Sequence, residues 1–322
     1  MEMDLKDPKE VMEEVIKRLK KSSPKELLSY AIRNEVEEAK YYARLASRAK
    51  HLSVKALFLK MSEESREHEA ALKSLFEKLF PGEEPLAVEL PPVEVAPLYP
   101  KFASVEDYIT ALEYCMESEL FAKRTYELLG EVAEDKEVRE LALSLATMEE
   151  EHYQEIKKVY ELIKAMSEKN IAPSSLRPGG YLFTDNVKAK YFLIDMASRG
   201  FPLRAIIREN PEKFLEGLSG RVEVVWITKA KGESSVSPSE LPSMSSELLK
   251  FLKGNSERGS VLFLQNLGYI ALELGFKDMM DFVLYLKDSA VLHNGYLVAT
   301  AVPEAFEKKE WAILTSELEL IS

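Results

Sequence analysis

Glutamate and histidine recur at a fixed separation in the first half of this chain. At a separation of 84 residues Glu35 aligns with Glu119, and His68 aligns with His152. Carboxylate and imidazole groups are general acids and bases, and they are also metal ligands. Because this pair of Glu and His occurs twice and includes two of the chain's four histidines, the pattern favours two adjacent metal positions.

Only the second copy of the repeat has all the expected ligands. Glu149 stands three residues before His152, so both side chains lie on one face of a helix and can face one ion. The equivalent residue before His68 is Ser65. A metal site in a bundle core takes one Glu from each of two helices and Glu-x-x-His from each of the other two. The sequence therefore predicts a two-metal site in a four-helix bundle, with one of six ligand positions lost.

The charge balance of this site depends on what compensates for Ser65. Two divalent ions require about four carboxylates, and the repeat supplies three; an uncompensated buried charge costs several kcal/mol. We expect Glu38, on the same helix face as Glu35, to contribute the fourth. The alternatives are a water or hydroxide beside Ser65, or a single metal ion. Glu64 is the weaker substitute because it lies about 100° around the helix.

Four helices must position these residues. Ser23, Pro24 and Glu26 have the arrangement of an N-cap, a first-turn proline and a capping glutamate. The predicted helices cover residues 23 to about 50, 53–79, 104 to about 130, and 135 to about 169. Residues 81–103 contain six prolines, which exclude a helix and favour an extended crossover along the bundle.

Residues 24–169 resemble the diiron domain of the rubrerythrin branch of the ferritin-like superfamily. The resemblance rests on Glu35 with Tyr42, Arg66-Glu67-His68, Glu119 with Tyr126, and the run from Glu149 to His152. It implies a ferritin-like four-helix bundle with one long crossover. It further implies that one metal has the terminal ligands Glu35 and His68, that the other has Glu119 and His152, and that Glu149 bridges them. Ser65 stands where a second bridging glutamate is expected.

The resemblance also implies chemistry with peroxide or oxygen. The expected cofactor is iron, a dinuclear centre without haem; manganese and zinc stay open. Rubrerythrins commonly carry a rubredoxin-like iron module held by four cysteines, but Cys115 is the only cysteine here. We therefore expect no four-cysteine iron site, and an enzyme would need an external electron donor. Tyr42 and Tyr126 are interpreted as core residues beside the site whose hydroxyls bond to a carboxylate, with a redox role as the minor alternative.

The second half of the chain has a different pattern. Residues 171–179 have linker composition, and residues 180–322 alternate strands with helices, which favours a mostly parallel α/β sheet covered on both faces. Predicted strands are 181–184, 204–208, 222–228, 260–265 and 296–301; predicted helices are 188–199, 244–253, 277–286 and 304–318.

Residues 178–320 resemble an archaeal family of unknown function with a RecA-like or KaiC-like appearance. The resemblance rests on Gly180-Tyr181-Leu182, Ile207 to Pro211, Trp226-Ile227-Thr228, and Val261 to Gln265 followed by Leu267-Gly268-Tyr269. The chain has no P-loop, and Gln265 replaces the aspartate expected at the end of one apolar strand. NTP hydrolysis is therefore not expected, whereas a nucleotide or a protein partner stays open. Arg208 could contact an anion, but pairing with Glu209 or a helix end is the simpler interpretation.

Composition limits the remaining function classes. A length of 322 residues predicts two domains, preceded by an amphipathic helix in residues 1–22 that serves packing or dimerisation. The net charge of -12 gives no reason to bind nucleic acid or acidic membranes. With one cysteine and no long apolar segment, we expect a cytoplasmic protein. Abundant Lys and Glu with only two glutamines are typical of a hyperthermophile.

Two function classes fit these patterns. In the first, the bundle is an oxidoreductase that reduces peroxide or oxidises ferrous iron, in a homodimer formed through the bundle. In the second, the bundle is a non-catalytic metal or redox sensor that signals through the C-terminal α/β domain. The intact Glu119, Glu149 and His152 favour the enzyme; Ser65 and the missing four-cysteine module favour the sensor.

Overall fold

The computed structural model describes residues 22–87, 102, 104–168, 176–230 and 235–321. The predicted N-terminal helix in residues 1–22 lies outside the described residues except for Ser22, and so do most of the crossover 81–103 and residues 171–175 of the linker. The chain divides into two compact units, Met1–Tyr160 and Glu161–Ser322. The predicted fold class, a helical region followed by a parallel α/β domain, is confirmed.

Four long helices form the first part of the chain. They are α1 (Pro24–Arg48), α2 (Leu52–Leu79), α3 (Val105–Val132) and α4 (Lys136–Glu168). These bounds agree with the predicted helices to within a few residues.

Local capping explains where these helices begin. The Ser23 side chain accepts a hydrogen bond from the Glu26 backbone N–H, and the Glu26 carboxylate accepts one from the Ser23 N–H, so two orphan donors of α1 are satisfied. Ser104 and Asp107 repeat this capping box at the start of α3. After α2 the chain turns at Gly82, whose φ of +73° belongs to the left-handed region that glycine adopts without strain.

Apolar layers hold the bundle together. One core cluster takes a fully or almost fully buried side chain from every helix, namely Leu28, Leu72, Phe121 and Leu145. Further along the helices Leu45, Leu57 and Ile156 are completely buried. Between these apolar layers lies a layer of buried carboxylates and imidazoles, described below.

The second part of the chain contains a seven-stranded sheet in which every strand pair is parallel. The strands are β1 (Gly179–Phe183), β2 (Leu203–Ile207), β3 (Val222–Ile227), β4 (Ser235–Val236), β5 (Val261–Leu264), β6 (Tyr296–Thr300) and β7 (Glu319–Leu320). Their order is β4-β3-β2-β5-β6-β1-β7. The five longer strands are those that the apolar runs predict. The two-residue strands β4 and β7 are too short to produce a pattern.

Helices cover both faces of this sheet. They are α5 (Asn186–Ser198), α6 (Pro211–Leu215), α7 (Ser245–Gly254), α8 (Leu267–Leu274), α9 (Phe276–Leu292) and α10 (Lys308–Glu317). Leu262 and Leu264 belong to a core cluster that includes residues of α7 to α10, whereas Phe263 stacks on Phe214 of α6. Alternation along a strand puts neighbouring residues on opposite faces, so both faces are buried.

The prediction for this part was incomplete at α6, α8 and the start of α10. The short α6 and α8 were not predicted. The predicted helix 304–318 begins only at Lys308, because Pro303–Ala305 form a 3₁₀ turn and the Glu307–Glu310 capping box starts the helix after it. Among the described residues no helix is both long and apolar enough to cross a membrane.

Candidate metal centre

Five ionisable side chains meet inside the helical bundle. Glu35 comes from α1, His68 from α2, Glu119 from α3, and Glu149 and His152 from α4. Their exposures are 1%, 7%, 0%, 0% and 7%. Burying so many charged groups is costly unless they are paired or bind a cation. This layer is therefore the leading candidate for a functional site.

The five side chains form two groups that share one residue. Glu35, His68 and Glu149 form the first group, and Glu119, Glu149 and His152 form the second. In each group the possible ligand atoms lie within 4.8 Å of one another. Glu149 Oε1 is 3.4 Å from His68 Nδ1, and Glu149 Oε2 is 3.3 Å from His152 Nδ1. Glu149 therefore presents one oxygen to each group.

The remaining carboxylates complete this arrangement. Glu35 Oε2 is 3.5 Å from His68 Nδ1, and Glu119 Oε2 is 3.3 Å from His152 Nδ1. The two imidazole rings stack with centroids 5.4 Å apart and planes inclined by 13°. Both rings thus direct Nδ1 toward the carboxylates.

The hydrogen bonding of these atoms is incomplete. Glu35 Oε2, Glu119 Oε2, both Glu149 oxygens and His68 Nδ1 are buried atoms without a hydrogen-bond partner. Buried polar atoms in folded proteins almost always have a hydrogen-bond partner. A set of unpaired acceptor atoms that face one another therefore indicates a binding site for a cation. Carboxylate oxygens and imidazole nitrogens are suitable ligands for iron, manganese or zinc. The residues present therefore fit two adjacent metal ions.

The electrostatics of the centre couple the histidines to the glutamates. Burial lowers the pKa of His68, but its contacts with Glu149 and Glu35 outweigh burial and raise the pKa to about 10. The pKa of His152 is raised in the same way by Glu119, Glu149 and Glu64. Burial raises the pKa of Glu119 to about 7. The two imidazolium charges thus compensate part of the buried negative charge.

Two tyrosines hold the outer carboxylates in a reciprocal arrangement. The Tyr42 hydroxyl on α1 donates to Glu119 Oε1, and the Tyr126 hydroxyl on α3 donates to Glu35 Oε1. Burial, followed by the neighbouring carboxylate, raises the pKa of both hydroxyls well above 10, so both keep their protons. Each half of the sequence repeat therefore orients a ligand of the other half.

Ser65 and Glu38 lie near this centre but outside the two groups. Ser65 is buried, and its hydroxyl donates to the Met61 carbonyl oxygen on its own helix at 2.8 Å. Glu38 is also buried, and its negative charge contributes to the raised pKa values of Tyr42 and Tyr126. It belongs to neither group, so its role as a metal ligand stays a prediction.

Glu64 is closer to the centre than its position on the helical wheel suggested. Its Oε2 is 3.3 Å from His152 Nε2, although the residue lies on α2 and His152 on α4. A cavity of about 290 Å³ opens beside these residues between α2 and α4. It is lined by both histidines and by Glu64, Glu67, Glu151, Glu155 and Lys60, among others. Both imidazoles line this cavity, and their side chains are 8% and 9% exposed.

Cys115 belongs to neither group of possible ligands. Its side chain is completely buried and forms no disulfide. Burial is usual for a cysteine that is not in a disulfide.

The carboxyl ends of the sheet strands form a separate polar cluster in the α/β domain. The connections after β2 and β5 leave in opposite directions, which makes this edge the place where open α/β sheets bind ligands. Gln265 Oε1 accepts hydrogen bonds from the backbone N–H groups of Arg208 and Glu209, and its Nε2 donates to the Glu209 carboxylate. The Arg208 guanidinium lies 4.8 Å from the Tyr269 ring centroid and donates to the Ile227 carbonyl oxygen. The polar groups at this edge thus bind one another.

Comparisons with known proteins agree with both halves of this description. The rubrerythrin family model matches residues 26–160, and the model of a protein family of unknown function, DUF835, matches residues 182–318. A solved structure, the hypothetical protein Pfu-1136390-001 from Pyrococcus furiosus, is 31% identical; the match covers 46% of this chain and 94% of that chain, with a TM-score of 0.42. No curated protein matches. The chain therefore contains a rubrerythrin (ferritin-like) domain in residues 26–160 and a DUF835 domain in residues 182–318.

Proposed function

We propose that the bundle binds two metal ions, with iron as the expected metal, at the two groups that share Glu149. The observation that carries this proposal is the geometry of Glu149, a fully buried carboxylate with one unsatisfied oxygen in each group. Such a carboxylate suits a bridge between two cations. Glu35 and His68 would complete one position, and Glu119 and His152 the other.

We further propose that this centre supports oxidoreductase activity, either reduction of peroxide or oxidation of ferrous iron with oxygen or peroxide as the oxidant. Glu35, His68, Glu119, Glu149 and His152 would hold two irons, which would supply the redox chemistry when bound. Reduction of one peroxide to two waters consumes two electrons and two protons. The electrons must come from an external donor, because the chain has one cysteine and cannot hold a four-cysteine iron site.

The side chains of this chain have distinct tasks in that activity. The tyrosine hydroxyls hold Glu35 and Glu119 in fixed orientations by donating hydrogen bonds to them. The cavity between α2 and α4 admits a small oxidant to the side of the centre where His68 and His152 lie. Apolar layers above and below exclude bulk water from the carboxylates.

A sensor is the second candidate, and Ser65 is the observation that favours it. A centre with one carboxylate fewer can bind metal without the turnover of a complete site. The attached DUF835 domain, which has no P-loop in its sequence, would then pass the metal or redox state to a protein or nucleotide partner.

Metal content and peroxide turnover test these proposals in sequence. Elemental analysis of protein purified without a tag should give two metal ions per chain. Peroxide consumption with a supplied reductant should then exceed that of the same amount of free iron. Two bound metals with neither peroxide turnover nor oxidation of added ferrous iron would refute the enzyme and leave the sensor. No bound metal would refute the metal centre itself.

A further inference from the structure

Glu64 is a carboxylate beside the centre to which the family pattern assigns no role. It is next to Ser65 on α2, and its Oε2 lies 3.3 Å from Nε2 of His152 on α4. This oxygen is buried, and apart from the His152 ring no hydrogen-bond donor among the described residues reaches it. The other carboxylate oxygen is 3.8 Å from the Lys60 ammonium group at the mouth of the cavity. The side chain thus bridges the surface and the interior histidine.

The two histidines differ in their surroundings because of Glu64. His152 has Glu119 and Glu149 at Nδ1 and Glu64 at Nε2. The ion pairs of His68 involve Nδ1 alone, and in the described part of the chain no carboxylate pairs with its Nε2. The two metal positions of the repeat therefore differ: the histidine of one position has a carboxylate at Nε2, on the side away from the metal, and the histidine of the other has none among the described residues.

An outer carboxylate changes how a histidine binds metal. When Nδ1 is the ligand atom, an Nε2–H···carboxylate bond fixes the tautomer and the ring orientation and makes the ligand atom more basic. Loss of such a partner typically lowers metal affinity by about 10- to 100-fold. Together with Glu35, Glu119 and Glu149, Glu64 makes four carboxylates that lie within 3.5 Å of the two imidazoles. Four negative charges balance two divalent cations.

We propose that Glu64 is the positioning residue for His152 and replaces the charge lost at Ser65. As a result, the Glu119–Glu149–His152 position binds the first metal ion. The Glu35–Glu149–His68 position then binds the second. This inference rests on the proposed metal-binding function and deepens it. It assigns the compensating role to Glu64, where the sequence alone favours Glu38.

A cobalt(II) titration tests the order and the role of Glu64. Cobalt(II) reports its ligand environment through visible absorption and needs no turnover. The native chain should bind two ions in two steps of different affinity. Glu64→Gln should weaken the first step by about 10- to 100-fold and shift its absorption band. Glu67→Gln is the matched control, because Glu67 is an exposed residue on the same helix that lines the same cavity; it should change affinity by no more than about twofold.

Three further variants separate the order of metal binding from the charge of the site. His68→Ala should remove only the second step, and His152→Ala should remove the first. Adding Ser65→Glu to Glu64→Gln should restore the affinity, because it restores the charge, but should not restore the native absorption band. Circular dichroism before the titration establishes that each variant is folded.

Three results would overturn the inference. They are a native first step that Glu64→Gln leaves unchanged, equal losses in Glu64→Gln and Glu67→Gln, and two equivalent binding steps in the native chain. In each of these cases the native chain still binds metal, so the proposed function stands. A native chain that binds no cobalt, iron or other divalent ion would instead refute the proposed function and, with it, this inference.

Discussion

Replacing Glu149 by glutamine should abolish the two-metal centre while preserving the bundle. The change keeps the shape of the side chain and removes one negative charge from a residue with 0% exposure. Each Glu149 oxygen serves a different group, so one substitution removes a ligand from both metal positions. No other side chain of the centre belongs to both groups.

The magnitude follows from the spacing of the ligand atoms. These atoms lie within 4.8 Å of one another in each group, so an ion held by either group is close to the Glu149 carboxylate. Two unit charges about 4 Å apart interact by about 4 kcal/mol at an effective dielectric constant near 20. A loss of that size corresponds to roughly a thousandfold weaker binding at each position.

Isothermal titration with ferrous iron under anaerobic conditions, together with elemental analysis, measures this loss. Glu151→Gln is the matched control, because Glu151 is an exposed neighbour on α4 that lines the cavity but belongs to neither group. We expect two metals per chain in the control and fewer than one in Glu149→Gln. Two tightly bound metals in Glu149→Gln would refute the assignment of Glu149 as the shared ligand.

Three other substitutions probe the centre and the sheet. Ser65→Glu should strengthen binding of the second cobalt ion by roughly tenfold or more, because it adds a carboxylate beside His68. A cobalt titration measures this change. Titration curves identical to those of the native chain would show that the site lacks no negative charge at Ser65. Tyr126→Phe removes the donor to Glu35 and should lower the free energy of unfolding of the chelator-treated bundle by about 1–3 kcal/mol, measured by far-ultraviolet circular dichroism in urea. Gln265→Ala leaves two backbone N–H groups unpaired and should destabilise the α/β domain by a similar amount. Tryptophan fluorescence measures this loss, because both tryptophans lie in that domain. For either of these last two, a change below about 0.5 kcal/mol would contradict the structural role assigned to the hydrogen bond.

The helical boundaries and the larger strands could be read from the sequence because their causes are local. Ser23 and Glu26 satisfy backbone groups only a few residues away, and Pro81 with Gly82 ends α2 in the same neighbourhood. The run from Val261 to Leu264 is apolar because both faces of a parallel sheet are buried. The short α6 and the strands β4 and β7 have too few residues for a periodic pattern, so they could not be predicted.

The ligand candidates could likewise be found from spacing alone. The 84-residue repeat and the interval from Glu149 to His152 place carboxylates and imidazoles at the right positions on helices. Five of the six proposed metal ligands meet in the two groups of the structure, and the sixth, Glu38, lies outside both. The hydrogen bonds from Tyr42 and Tyr126 to the opposite halves of the repeat were expected only as bonds to some carboxylate.

What the sequence determined by itself was therefore the set of helices, the sheet class and the residues able to hold metal, since these follow from periodicity, capping and spacing along one chain. The tertiary structure alone decided which carboxylate approaches which nitrogen. Glu64 lies about 100° around α2 from Ser65, and helical geometry therefore disfavours it. It nevertheless reaches His152, because α4 packs beside α2 and a long glutamate side chain spans the gap between them. That contact depends on the separation of two helices about 90 residues apart in sequence, which no local pattern encodes.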